Sequence, residues 1–440
     1  MKKKEKKETQ KYKCDKKERN KQINKNIMNS TQQQNQQHIA IVGCVHGNYT
    51  QMYTTIQQYE QETRKKISFV LCTGDMQTIR NNEDLKYLKV PPKYKQMGDF
   101  HEYFEGKKKA PYLTIFIGGN HEASNVLHHM FYGGYICENM YYLGNCGCIH
   151  LNSLTIVGIS GIFNEHDEFK TFHYPANEQD MYSLFHTRSY VSEMINKLGN
   201  TEGIDIVLSH DWPQGIVMNG NYRQLYKIQP HLKKDGEFLG SPIHKNILNQ
   251  TYPHYWIASH LHCSYECLSN NTQFYALGKI GYKNAISYLS LDSSIHQRNN
   301  EINQSQMNIN NNIIYFSKEW ALILVYCFPL FSNLNAFPLK YFGQEFEKLM
   351  KERTDEKDKQ IITLWDQFIG FEMKQRNIPI ENHFMLYHDS IKKIYQSIFP
   401  SSSNQINGNQ MNQQQTPQQV QYQSNQLRTS ENDVFLELID

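Results

Sequence analysis

Short apolar runs of strand length recur along residues 38–258, at 38–42 (HIAIV), 67–71 (ISFVL), 113–117 (LTIFI), 154–159 (LTIVGI), 204–208 (IDIVL) and 255–258 (YWIA). They are rich in β-branched or aromatic residues and are bounded by Gly, Asn, Asp or Ser, which turn the chain. The runs are nearly continuous rather than alternating, so they predict strands covered on both faces in a layered α/β fold. Further on the period changes. Tyr341-Phe342, Phe346 and Leu349-Met350, then Ile361, Leu364-Trp365 and Phe368, recur at helical spacing and predict a smaller, mainly helical block. No chemical motif accompanies that aromatic stripe, which reads as packing surface.

Polar segments divide the chain. Residues 1–37 are rich in Lys, Gln and Asn, and residues 2–25 alone hold 12 Lys/Arg against 4 Asp/Glu in a chain of formal net charge +3. Residues 293–312 are dominated by Asn and Gln, and 404–426 contain 15 Asn/Gln in 23 positions. These segments depress the mean hydropathy to −0.68 and lack the apolar surface that offsets the entropy of ordering. The expected organisation is a disordered basic head (1–37), a folded block (38–292), a linker (293–312), a helical C-terminal block (313–400) and a disordered tail (401–440).

The longest apolar run, 321–331, contains Pro329 and falls short of the about 20 residues a membrane span needs, so no membrane association is expected. The amino terminus develops no apolar core of a secretory signal. Nine cysteines without framework spacing then predict free thiols in a reducing compartment. The basic run at 2–7 reads equally as a nuclear import signal and as a solvating tail.

The residues just after each apolar run are more informative. Run 38–42 leads into Gly43-Cys44-Val45-His46-Gly47, run 67–71 into Gly74-Asp75, and run 113–117 into Gly118-Gly119-Asn120-His121-Glu122. Run 204–208 leads into Ser209-His210-Asp211, and run 255–258 into Ser259-His260-Leu261-His262. Metal-competent side chains thus stand where the backbone leaves the sheet, the edge at which open α/β sheets bind ligands. Imidazoles, a carboxylate able to bridge and an amide oxygen suit two divalent ions a few ångströms apart. Each element alone is weak evidence; the ordered set is specific.

That order resembles the calcineurin-like metallophosphoesterase superfamily, which implies a double-sheet α/β sandwich. Longer segments resemble the RNA lariat debranching enzyme family: VGCVHG at 42–47, CTGDMQ at 72–77 with Arg80-Asn81, VPPKY at 90–94, IGGNHEASN at 117–125, GISGIF at 158–163 and LSHDWP at 208–213. The resemblance implies that His46, Asp75 and His262 hold one ion, and Asp75, Asn120, His210 and His260 the second, with Asp75 bridging; the ions would be iron, zinc or manganese. Cys44 stands where most of the superfamily has Asp and the debranching enzymes have Cys. A thiolate there would favour a softer ion, and a neutral thiol would leave three protein ligands; the bond is expected to be weak or absent.

His121 is the expected general acid or phosphate-contacting group, since an imidazole can protonate a departing alkoxide at neutral pH. Asp211 is expected to steady a ligand imidazole, and Glu122 to be an ordinary helix-start carboxylate. Segment 163–188 sits where debranching enzymes carry a lariat-recognition insertion. Phe169, Phe172, Tyr174, Tyr182 and Arg188 are its candidate contacts for bases and phosphates, against the plainer reading that they pack the segment onto the core. Glu165, Asp167 and Glu168 sit awkwardly for an RNA surface. Cys146 with Cys148, and Cys263 with Cys267, lack the partners of a zinc site.

The function expected is metal-dependent hydrolysis of the 2′-5′ bond at the branch point of excised intron lariat RNA, mainly in the nucleus with shuttling to the cytoplasm as the alternative, with branched RNA as partner and no protein partner specified. The alternatives are a generic binuclear phosphoesterase acting on phosphoprotein, cyclic nucleotide or DNA, and a noncatalytic scaffold. The narrower motifs weigh against the first, and the filled ligand positions against the second.

Overall fold

The computed structural model describes residues 36–171, 180–292, 312–332, 339–375 and 378–400. The basic head apart from its last two residues, all of the Asn/Gln-rich linker but residue 312, and the C-terminal tail lie outside the described residues, as do the expectations made for them.

The apolar runs form strands. In chain order these are β1 Gln36–Val42, β2 Ile67–Cys72, β3 Leu113–Phe116, β4 Gly134–Cys137, β5 Met140–Tyr142, β6 Cys146–Leu151 and β7 Leu154–Ile159. After these come β8 Ile206–Ser209, β9 Tyr255–Ala258, β10 Tyr265–Ser269, β11 Thr272–Ala276, β12 Ile286–Asp292 and β13 Ile314–Phe316. They make a six-stranded sheet, β12-β1-β2-β3-β5-β4, and a seven-stranded sheet, β10-β11-β9-β8-β7-β6-β13. The expected double-sheet α/β sandwich is what is found.

Period-2 alternation divides the apolar runs of the first sheet between two cores. Ile39, Ile41, Phe69, Leu71, Ile115 and Ile117 meet Ile156, Leu208 and Ile257 between the sheets. Ala40, Val42, Val70, Cys72 and Phe116 face outward, under the helix Tyr49–Thr63. That helix buries Tyr49, Met52, Tyr53 and Ile56, an i, i+3, i+4, i+7 stripe. Asp99 accepts its first amides, Tyr49 N at 2.9 Å and Thr50 N at 2.8 Å, where an anion suits the helix dipole.

The centres of both sheets are parallel: β1, β2 and β3 run together, as do β7, β8 and β9. The C-terminal ends of each trio therefore share one edge, and the loops carrying the candidate ligands emerge there.

In the C-terminal region the helices Phe342–Lys351 and Asp355–Phe368 bury Phe342, Phe346, Met350, Ile361 and Trp365. The region does not pack as a separate body. Its first strand, β13, extends the second sheet antiparallel to β6, and Trp320, Ile323 and Trp365 are continuous with the apolar cluster that fills the space between the sheets. The helix Ile380–Ile398 lies against the helix Ser124–His129, stacking Phe384 on His128 with ring centroids 6.5 Å apart. Arg80, just beyond the Asp75 turn, reaches Glu381 at 2.8 Å.

Candidate metal centre

The loops after β1, β2, β3, β8 and β9 converge on Asp75, which is 1% exposed. Its carboxylate faces two ways. Oδ1 lies 3.2 Å from His210 Nε2 and accepts the His121 backbone amide at 2.8 Å. Oδ2 lies 3.6 Å from His46 Nε2 and 3.5 Å from His121 Nδ1. The arrangement carries backbone strain, because His46, Asp75, His260 and His262 all have positive φ, between 48° and 66°. That conformation costs a non-glycine residue on the order of 1 kcal/mol. Gly119 is required by contact: a Cβ there would sit 2.1 Å from Asp75 Oδ1.

On one side of Asp75, Cys44, His46, Asp75 and His262 each offer a ligand atom, all within 4.8 Å of one another. His46 Nε2 and His262 Nε2 are 3.1 Å apart, and the Gln77 amide lies 3.2 Å from His46 Nδ1. On the other side, His210 Nε2 stands 3.1 Å from Asn120 Oδ1, and the rings of His210 and His260 are 5.0 Å apart. Two donors on one ion at about 2.1 Å, set at right to tetrahedral angles, stand about 3.0–3.4 Å apart. The observed pairs match that spacing.

The donor chemistry fits a cation too. His210 Nδ1 donates to Thr73 O at 2.7 Å, which leaves Nε2 facing the oxygens of Asp75 and Asn120, where either a proton on the ring or a metal cation between the three atoms satisfies them. His262 Nδ1 is buried without a hydrogen-bond partner. Burial lowers His46 to about 4 and His260 to about 3, against the pull of Asp75, so both imidazoles are neutral as ligands must be. Burial alone would raise the Asp75 carboxyl, but His210 and His121 hold it well below the usual range. Burial and the Asp75 charge push the Cys44 thiol up.

His121 lies at the open side of the group, its side chain 15% exposed and its ring 5.6 Å from that of His46. Glu122 differs from the helix-start carboxylate expected of it. It is 1% exposed and accepts the amides of Met76 and Gln77, each at 2.8 Å, and of Gly119 at 3.0 Å. It clamps the Asp75 turn to the Asn120 turn, and burial followed by the Asp75 charge pushes its pKa up to about 7. Ser259, which sequence reasoning passed over, donates to Thr73 O at 2.9 Å and lies 3.2 Å from His210 Nδ1.

Asp211 also departs from expectation. The His210 imidazole is held by the Thr73 carbonyl, while the Asp211 carboxylate accepts the amides of Trp212 at 2.8 Å and Phe163 at 3.2 Å. It anchors the start of segment 163–188 instead of steadying a ligand.

In that segment Phe169 and Tyr182 are exposed, 47% and 57%, while Phe172 and Tyr174 lie outside the described residues. Arg188 is not available to a phosphate. It is fully buried, donating from Nε to Lys170 O at 2.8 Å, from Nη1 to His186 O at 2.7 Å and from Nη2 to Ser183 Oγ at 2.6 Å. Asp167 turns inward as well, to His186 Nδ1 at 2.6 Å and to Lys170. Replacing Arg188 by Ala strands several buried acceptors, so Arg188→Ala should lose about 2–4 kcal/mol in urea unfolding, and Arg188→Lys, lacking the planar fork, should recover little of it. An unchanged unfolding midpoint would contradict this anchoring role.

A two-sheet sandwich with histidines, an amide and a bridging carboxylate at its strand ends is the arrangement of a metal-dependent phosphodiesterase. A family model described as calcineurin-like phosphoesterase matches residues 37–264, and one for the Dbr1 C-terminal domain matches residues 313–399. The lariat debranching enzyme of Entamoeba histolytica is 53% identical over 363 residues, covering 82% of this chain and 98% of that protein. The one from Arabidopsis thaliana is 34% identical, covering 82% of this chain and 83% of its own; the one from Homo sapiens is 39% identical, covering 59% and 48%. The chain belongs to the lariat debranching enzyme family.

Proposed function

We propose that this chain hydrolyses the 2′-5′ phosphodiester bond at the branch point of excised intron lariat RNA, using two divalent ions held on either side of Asp75. The observation that carries the reading is the shared carboxylate: one Asp75 oxygen faces His210 and the other faces His46. His46, Asp75 and His262 would hold one ion, with Cys44 beside them, and Asp75, Asn120, His210 and His260 the other. Iron, zinc and manganese all suit this mixed nitrogen and oxygen set, and Cys44 is assigned a weak sulfur contact or none.

Divalent ions bound there neutralise phosphate oxygens and activate water at neutral pH. The chain's own residues do the rest. Asp75 fixes the spacing of the two donor groups, and Glu122 and Ser259 keep the turns that carry them in register. His121, beside the centre and partly open to solvent, gives a proton to the departing 2′ oxygen. Water supplies the hydroxyl that joins phosphorus, so the products are a linear RNA with a 5′ phosphate and a restored 2′ hydroxyl. Intron lariats arise in splicing, which supports a nuclear location.

A gel assay on a synthetic branched RNA tests the reading: cleavage at the branch, abolished by chelator and restored by added divalent metal, is expected. An intact branch under saturating metal would refute it. Elemental analysis of protein purified without chelator should find more than one transition-metal equivalent per chain at full loading; a stoichiometry fixed at one with full activity would retire the two-ion scheme.

A further inference from the structure

Residues 85–97 take no part in the metal centre, yet they border it. They contain Lys86, Lys89, Lys93 and Lys95, with Tyr87 and Tyr94, and no Asp or Glu. Both ends are pinned to the ligand loops. Just before the segment, Asp84 is gripped by Arg80 and Asn125, each at 2.7 Å. Just after it, Asp99 N donates to Gly47 O at 2.9 Å, and Gly98 packs so closely that a Cβ there would lie 2.9 Å from the Cα of Gly47, the residue following His46. In the middle, Lys89 Nζ lies 4.8 Å from the ring centroid of Tyr182, the exposed tyrosine of segment 163–188. Lys93 Nζ lies 4.4 Å from the Tyr94 ring. Lys93 and Lys95 are exposed, and Lys89 and Tyr94 half-buried; Lys86 is engaged by Glu83 at 2.6 Å.

We propose that Lys89, Lys93 and Lys95, with the faces of Tyr94 and Tyr182, form a track for one single-stranded RNA arm leaving the branch. The proposal rests on the reading that branched RNA is the substrate. A branch sends out more phosphates than the metal centre can take up, and each needs a cation outside it. Lysines interleaved with aromatic rings give that footprint: the ammonium groups neutralise phosphates and the rings stack on bases of any sequence. A segment fixed at both ends, stiffened by Pro91 and Pro92, loses little freedom on binding.

The test compares a branched RNA carrying arms of about ten nucleotides with a minimal branched trinucleotide, using a triple variant (Lys89→Ala, Lys93→Ala, Lys95→Ala) and its triple Lys→Arg counterpart. The alanine variant should raise KM for the long-armed substrate about tenfold or more at low salt, with kcat preserved. Its plot of log KM against log salt should flatten by about 2, as expected for three lost contacts to a single strand. The minimal branch should change by less than about twofold, and the arginine variant should stay near wild type. Equal losses on both substrates, an unchanged salt slope, or failure of the arginines to restore KM would overturn the track.

Should the wild-type protein cleave neither substrate, the functional reading falls, and the track is judged by binding of a single-stranded uridine oligonucleotide. Binding about tenfold weaker in the alanine variant supports the track, and unchanged binding overturns it. Tight binding of a polyglutamate peptide, lost in the alanine variant while RNA binding persists, would give the surface to an acidic protein partner and overturn the track as well.

Discussion

Asp75→Ala should abolish turnover of branched RNA, by on the order of a thousandfold or more, and should empty both sides of the centre together. The carboxylate is common to the two donor groups, with Oδ1 toward His210 and Oδ2 toward His46, and it also accepts the His121 amide. Its removal therefore takes a ligand from each ion and frees the residue expected to deliver the proton. The measurement is kcat/KM alongside metal content per chain. If the variant kept one full equivalent and a rate near wild type, Asp75 would not be a bridge.

Exchanging residues 171–182 for a short Gly-Ser bridge should lower cleavage of branched RNA by about ten- to a hundredfold while hydrolysis of bis-(p-nitrophenyl) phosphate survives. A metal centre grips phosphate oxygens and reads nothing of the sugar linkage, so selectivity for a branch has to come from protein beside it. The exchange begins after Lys170 because the Lys170 carbonyl is an acceptor for Arg188, and it ends before Ser183, which meets the same guanidinium. Those anchors keep the segment's base in place while Tyr182, exposed at its rim, is lost. Equal loss on both substrates would mean that the segment merely supports the centre, and no loss on either would remove it from recognition.

Strand positions were legible where both faces are buried, because a continuous apolar run is then unavoidable: the run at 154–159 became β7, buried at every residue. Most strands that went unread are short or half-exposed; β6 is buried at every residue, but Gly147 and His150 interrupt its apolar run. β10 alternates buried and exposed positions, with Leu268 62% exposed. A signal for its hairpin was nevertheless present: Asn270-Asn271 joins β10 to β11 with both φ positive, and Asn152-Ser153 joins β6 to β7 in the same way. Such two-residue turns favour Asn.

The candidate ligands were legible for a related reason. A group that binds a cation at a strand end must carry a lone-pair donor such as the imidazole, carboxylate or amide oxygen found here, and small neighbours ease the backbone turn, so composition and order at positions 46, 75, 120, 210, 260 and 262 reflect chemistry local to each loop. The roles of the residues between those loops depend on approach in space. Glu122 looks from its sequence like any acidic residue at a helix start, and becomes a clamp because the Asp75 turn brings two amides to it from another strand. Arg188 and Asp211 carry charges that sequence reasoning directs toward substrate or ligand, and the fold turns both to backbone groups instead. The sequence by itself determined the class of fold and the donors available to a metal. Only the tertiary structure decided which polar groups remain for chemistry and which are spent holding the chain, since a buried charge takes whatever partners the packing leaves within reach.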